Sequence, residues 1–283
     1  MSAIALQRVV VRMLFDPTFR DRVYADPMMV LSDVDLTPEE RQWLITPDAR
    51  AYGVDVHRRS RALAGLLEEY PVAGALAVRC AQGLQRLYGF FAATAFHQCI
   101  QQRGSLADAF GVYLASEAFA EQPLIACMAT VERSIARVRR APTLPNNQGK
   151  TLTQDVCLRL APWVELLSLP DIVLPRYGQW RDHLARHGPS LLDAVLDAQY
   201  PLSFAPPLQE TQAVFVLVVN TPGADGPSLE PTSPELGTLL AAAQQDIVCR
   251  DLCALAVQLG AEPHEALDII GGLVADQLLI YSR

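Results

Sequence analysis

Hydrophobic positions recur at helical spacing through the first half of the chain. Leu6, Val9, Val10, Met13 and Leu14 predict a first helix that Asp16-Pro17 ends. Thr18 to Tyr24 predicts a short second helix, broken at Asp26-Pro27. Thr37-Pro38-Glu39-Glu40 reads as a helix start, with a cap, a proline in the first turn, and acids at the positive end of the dipole. Trp43 and Leu44 are its expected buried face. Val54 to Tyr70 predicts another helix, whose polar side holds His57, Arg58, Arg59 and Arg61. Pro71 opens a further one that the spacing of Leu84, Leu87, Phe90, Phe91 and Phe96 carries to about Gln102, with Gly83 and Gly89 marking tight packing or a kink. Two more helices are expected, from Ser105 and from Pro123 to Arg140. In the last, Val131, Ile135 and Val138 form the apolar stripe, and Arg133, Arg137 and Arg140 face elsewhere. Residues 1–141 therefore read as a helical domain.

The stretch APTLPNNQGKT that follows is loop chemistry, and 142–151 is expected to be a linker. It ends in Gly149-Lys150-Thr151, like a phosphate-binding loop. The GxxxxGK[ST] pattern needs a glycine at position 144, however, and Leu144 stands there after a helix rather than a strand. Residues 152–199 are expected to form a connecting helical segment, of mixed character over 158–169 and with helices at Tyr177–His187 and Ser190–Ala198. Residues 200–283 change pattern. Pro201 to Pro207 reads as extended, Gln212 to Asn220 as a dense β-branched strand, and Ser228 to Thr232 as a short extended piece. Helices are expected at Pro234–Gln244, Cys249–Leu259 and Pro263–Gln277, and a closing strand at Leu278–Tyr281. The fold class is thus mainly α with a small α+β part: a helical domain, then a winged-helix-like domain.

Charge sharpens this division. The net charge is −8, and all of it falls in 200–283, where ten acids stand against Arg250 and Arg283. Six cysteines are scattered without a CxxC pair, which suits a reducing compartment. No apolar run approaches the ~18 residues of a membrane span, and Arg8 and Arg12 interrupt the first helix as no secretory signal would be interrupted. A cytoplasmic protein is expected.

SPELGTLLAAAQ and CRDLCALAVQLGAEPHEALDIIGGLVADQLLIYS carry a resemblance. Their pattern resembles the PqqD-like recognition elements of ribosomal peptide natural-product biosynthesis. Leu236, Leu239, Leu240, Leu252, Leu255, Ile270, Leu273, Leu278 and Leu279 occupy the matching apolar places. RMLFDPTFRDRVYADPMMVLSDVDLTPEE and RLAPWVELLSLPDIVLPRY are similar to segments of the partner proteins of multinuclear iron-dependent oxidases, as in methanobactin and 3-thiaglutamate biosynthesis. The resemblance implies a heterodimer. A TIM-barrel oxidase holds the iron and modifies cysteine, while this chain, with no cofactor of its own, holds the precursor's leader peptide. In such elements the leader adds as a strand beside the third strand and rests against the third helix. Here that implies Ser228, Leu229 and Glu230 on one side, and Glu265, Asp268, Ile269, Gly272 and Asp276 on the other. Pro231, lacking an N–H, ends the pairing.

Other candidate chemistry is thin. His183 and His187 have metal-ligand spacing, but Leu184, Ala185 and Arg186 lie between them and no glutamate does. Cys249 and Cys253 share that spacing among leucines and read as core. Glu39-Glu40 and Glu68-Glu69 read as solvated helix surface. No catalytic residue and no metal ligand is assigned. Arg58, Arg59, Arg61, Arg133, Arg137 and Arg140 form a candidate docking surface for the oxidase. Two alternatives remain, a winged-helix transcriptional regulator and a free-standing helical metalloenzyme. The first is disfavoured because the third helix of the tail carries acids and no base, which repels phosphate, so neither nucleic acid nor membrane is an expected partner.

Overall fold

In the computed structural model, residues 3–55, 57–142, 151–186, 212–220 and 226–282 are described. The linker centre with Lys150, the helix expected at Ser190–Ala198, the extended Pro201–Pro207 and His187 lie outside them. The protein is mainly α with a small α+β part. Its chain divides into two compact units, Met1–Arg133 with Tyr177–Phe204, and Ser134–Arg176 with Ala205–Arg283. No helix among the described residues is long and apolar enough to cross a membrane.

The first unit is built of helices punctuated by Asp/Thr/Ser caps and prolines. Helix α1 (Ala3–Phe15) is followed by α2 (Pro17–Ala25), α3 (Pro27–Val30), α4 (Pro38–Ile45) and α5 (Ala49–Gly53). Asp16 accepts from the Phe19 N–H and Asp26 from the Met29 N–H, each with proline at the next position. Thr37 and Glu40 form a reciprocal capping box at 2.8 and 3.2 Å. Val9, Met13, Phe19, Val23, Leu31, Leu36 and Leu44 close over one core. Two expectations are corrected here. Trp43 is 52% exposed and Glu40, read as solvated, is 3% exposed. The capping box turns Glu40 inward, so the buried pair on α4 is Glu40 and Leu44, four apart, and Trp43 rotates out.

Helix α6 (Arg58–Glu69) begins later than Val54. The long helix expected from Pro71 is in fact α7 (Pro71–Arg79), α8 (Gly83–Gly89), a 3₁₀ turn over Phe90–Ala92, and α9 (Thr94–Gln102). The break has a steric cause. Gln82 takes a left-handed conformation, φ 56°, and a Cβ on Gly83 would lie 1.9 Å from the Ala77 carbonyl oxygen. Only glycine fits where the chain doubles back on α7. The turn brings Phe90 against Phe110 (ring centroids 5.0 Å apart) and beside Phe91, Phe96 and Tyr113. Helix α10 (Leu106–Tyr113) runs into a π-helical turn, Leu114–Ala118, and α11 spans Pro123–Arg140 as expected.

A buried acid supports this unit. Tyr70 precedes α7 without a side-chain cap. The free N–H groups of Val72 and Ala73 donate instead to the two carboxylate oxygens of Glu132 on α11, at 2.8 and 2.9 Å. Burial pushes Glu132 up to about 8, against the pull of those two N–H groups.

His97 on α9 is the second perturbed group. Burial, and then the Arg12 guanidinium, lower its pKa to about 4, while Asp16 opposes them. The folded form therefore stays neutral where the unfolded chain takes up a proton. Stability from this group is full above about 6.5 and is lost as pH falls from there through about 4. Urea midpoints measured across that window should decline less steeply in His97→Gln than in the parent chain.

Among the described residues the second unit holds six strands. Strands β1 (Cys157–Leu160) and β2 (Val164–Pro170) precede α12 (Val173–Arg186), and β3 (Ala213–Val219) and β4 (Ser228–Thr232) follow it. Then come α13 (Pro234–Ala242), β5 (Ile247–Val248), α14 (Cys249–Gln258), α15 (Ala266–Ala275) and β6 (Leu279–Tyr281). Two antiparallel three-stranded sheets result, ordered β5-β1-β6 and β2-β3-β4. The expectation of a connecting helical segment over 152–199 is therefore corrected, because 157–170 supplies one strand to each sheet. Val164, Leu166 and Leu169 are buried, and the exposed Ser168 lies between. Leu239, Leu240, Leu252, Ile270, Leu273 and Leu279 are buried in one core with Leu158, Trp163 and Leu217. Leu236, Leu255 and Leu278 pack on its flank.

Candidate functional site

Strand β4 pairs with β3 from Val219 opposite Ser228 to Phe215 opposite Thr232. As the last strand of β2-β3-β4, it has no second strand beside it among the described residues. Ser228, Glu230 and Pro231 are exposed, while Leu229 and Thr232 are half-buried. Pro231 stands opposite the buried Val216. The edge is held in place by α13, where Ser233 caps the helix by accepting from the Leu236 N–H and Gly237 lets the backbone close on the Phe215 ring.

Helix α15 packs on α14 and β6 through Ala266, Ile270 and Leu273. Its other face carries Glu265, Asp268, Ile269, Gly272 and Asp276, all exposed. These positions form one stripe by helical spacing. Ile269 is 40% exposed, an apolar centre with acids on either side. None of Glu265, Asp268 and Asp276 has an ion-pair partner among the described residues. A strand edge without a partner among the described residues, or an acidic stripe with an apolar centre, can each receive an extended, basic chain; β4 belongs to one sheet, while α15 packs on a strand of the other.

Arg58 donates towards the Leu14 and Tyr52 carbonyls and lies 3.7 Å from Asp55. Arg59 donates to the Tyr88 carbonyl at 3.0 Å and stacks over the Tyr88 and Phe91 rings. Arg61 pairs with Asp55, and Arg133 grips both oxygens of Asp108 at 2.8 and 3.2 Å. Arg137 pairs with Glu165 of β2 at 3.0 Å, and Arg140 donates to the Ala136 carbonyl. The first four belong to one unit and the last two to the other. Each of the six has a carbonyl or acid partner within the fold, near in sequence for Arg58 with Asp55 and Arg140 with Ala136 and distant for Arg133 with Asp108, and the Arg61 and Arg137 side chains remain more than half exposed.

His183 is buried, with its ring edge-on to Trp180 at 6.0 Å. Cys249 is buried and its Sγ lies 4.0 Å from that of Cys253. Burial first, and then Cys253, raise the Cys249 thiol to about 12. A cavity near the second unit's first sheet, about 320 Å³, is lined by Thr151, Val156, Cys157, Tyr281 and Ser282. Among the described residues no three of His, Cys, Asp and Glu converge as metal ligands. Sequence reasoning did not reach Glu132. The available signal was a helix opening at Tyr70-Pro71 with no capping side chain, which requires an acceptor from elsewhere. No protein-family model matches the chain, and no curated protein sequence matches it significantly.

Proposed function

We propose that this chain is a non-catalytic, cytoplasmic subunit that binds the leader of a ribosomally made precursor peptide. It presents that peptide to an iron-dependent TIM-barrel oxidase, which modifies cysteine. The observation that carries the reading is the β4 edge, which has no second strand beside it among the described residues, in a unit whose strands β2-β3-β4 are followed by three helices, the order of a winged-helix-like recognition element. The long insertion between β2 and β3 is the departure from that plan. Proline is tolerated in a strand where its missing N–H faces away from the ladder, so Pro231 and Leu229, two residues earlier, turn their nitrogens outward. Leu229 then offers one donor to an incoming strand, and pairing stops at Pro231. The unpaired acids of α15 select leaders with Lys or Arg at their rim, acting mainly on association rate.

The test titrates the purified chain with labelled synthetic peptides encoded by short reading frames beside its gene. Leu229→Pro should weaken binding about tenfold, the worth of one backbone hydrogen bond. Asp268→Asn should slow association and leave dissociation nearly unchanged, and added salt should have the same effect. Co-purification with the neighbouring oxidase should leave iron with the oxidase. A chain that by itself carries stoichiometric iron and modifies peptide would refute the division of labour.

A further inference from the structure

Cys249 and Cys253 stand four apart on α14, with Cys249 the first residue of that helix and its N–H donating to the Val156 carbonyl at 2.8 Å. Cys249 is wholly buried, Cys253 is half-buried, and their sulfurs are 4.0 Å apart. Three uses of such a pair can be weighed by distance. A disulfide needs Cβ atoms about 3.5–4.5 Å apart. Side chains four apart on a helix hold theirs about 5–6 Å apart, so oxidation requires the first turn of α14 to unwind. A zinc site needs four ligands, and among the described residues no third His, Cys, Asp or Glu joins these two. Two metal–thiolate bonds of about 2.3 Å laid end to end span about 4.6 Å, close to the 4.0 Å gap already present.

The geometry points to a two-coordinate site for a soft monovalent cation, copper(I), between the sulfurs of Cys249 and Cys253. Thiolate sulfur selects this ion over harder ones. Binding replaces two S–H protons with one M⁺, releases two H⁺, and leaves a bis-thiolate of net charge −1. No electron is transferred. The positive end of α14 faces that negative charge, since Cys249 is its first residue. The half-buried Cys253 provides the entry side.

The test titrates the full chain, kept reduced, with copper(I) against a chromogenic copper(I) chelator, and separately with silver(I), a redox-inert probe. One equivalent should be held with a new thiolate-to-metal ultraviolet band. Either Cys249→Ser or Cys253→Ser should lose more than the roughly 100-fold that removal of an outer-shell partner costs at a metal site. Cys157→Ser, which removes the exposed thiol on β1, should change nothing. Circular dichroism checks the fold, and Cys253→Ser, at the half-buried position, keeps the test valid if the buried change unfolds the unit. Equal retention of metal by parent and double variant would overturn the proposal. So would rapid formation of an intrahelical disulfide, seen as a loss of two hydrogens by mass, in place of metal uptake.

Discussion

Glu132→Ala should lower the unfolding free energy of the first unit by about 2–4 kcal/mol in urea titration at neutral pH. Two buried N–H groups of α7, Val72 and Ala73, would lose their acceptor, each at about 1–3 kcal/mol, and α7 has no other side-chain cap. Glu132→Gln keeps the shape and one acceptor but turns an amide N–H₂ towards the other donor, so its loss should be smaller yet clear. The pH dependence separates charge from shape. Glu132 is raised to about 8 in the fold, so between about 4.5 and 8 the folded state holds a proton that the unfolded chain has released. Its contribution is full below about 4.5 and is lost as pH rises through about 8, with a slope of at most about 1.4 kcal/mol per pH unit. Both variants should remove that slope. A slope that survives in Glu132→Gln would assign it to another group.

What the sequence made legible was local. Thr37-Pro38 announces a helix start because cap and proline act within one turn, and that start is found where expected; Asp16-Pro17 and Asp26-Pro27, read only as helix breaks, also cap and open the helices that follow them. The leucines of 236–279 fall into one core because helical periodicity marks a buried face before any partner is known. What stays hidden in the sequence is set by partners far away along it. Arg133 reads as a free charge until Asp108, 25 residues earlier, closes on it, and Arg137 until Glu165 does. Strand β2 was hidden because Leu and Glu favour helix, and its extended state depends on pairing with β3 across a long insertion. The acidic stripe on α15 was legible for the opposite reason: its residues stay outside, so nothing non-local redefines them.

Gly237→Ala should destabilise the second unit although alanine is the better helix former. A Cβ at this position would lie 2.2 Å from Cδ2, 2.3 Å from Cγ and 2.7 Å from Cβ of Phe215, the root of the side chain rather than its mobile end. Either α13 lifts or β3 shifts, at about 1–3 kcal/mol, which outweighs the gain of up to about 1 kcal/mol in helix propensity. Gly237→Val should be worse. Gly272→Ala on α15 is the matched control, since nothing lies within 4 Å of its added methyl, and it should stabilise by about 0.5–1 kcal/mol. The two changes also bear differently on peptide binding. Phe215 pairs with Thr232, the residue next to the α13 cap, so displacing α13 loosens the edge that β4 presents. Leader affinity should therefore fall in Gly237→Ala at temperatures where the unit is still folded by circular dichroism. In Gly272→Ala the melting temperature should rise while affinity falls only if a guest backbone approaches α15 closely. An unchanged affinity there would confine the guest to the strand edge, and unchanged affinity in Gly237→Ala would remove β4 from the binding surface altogether.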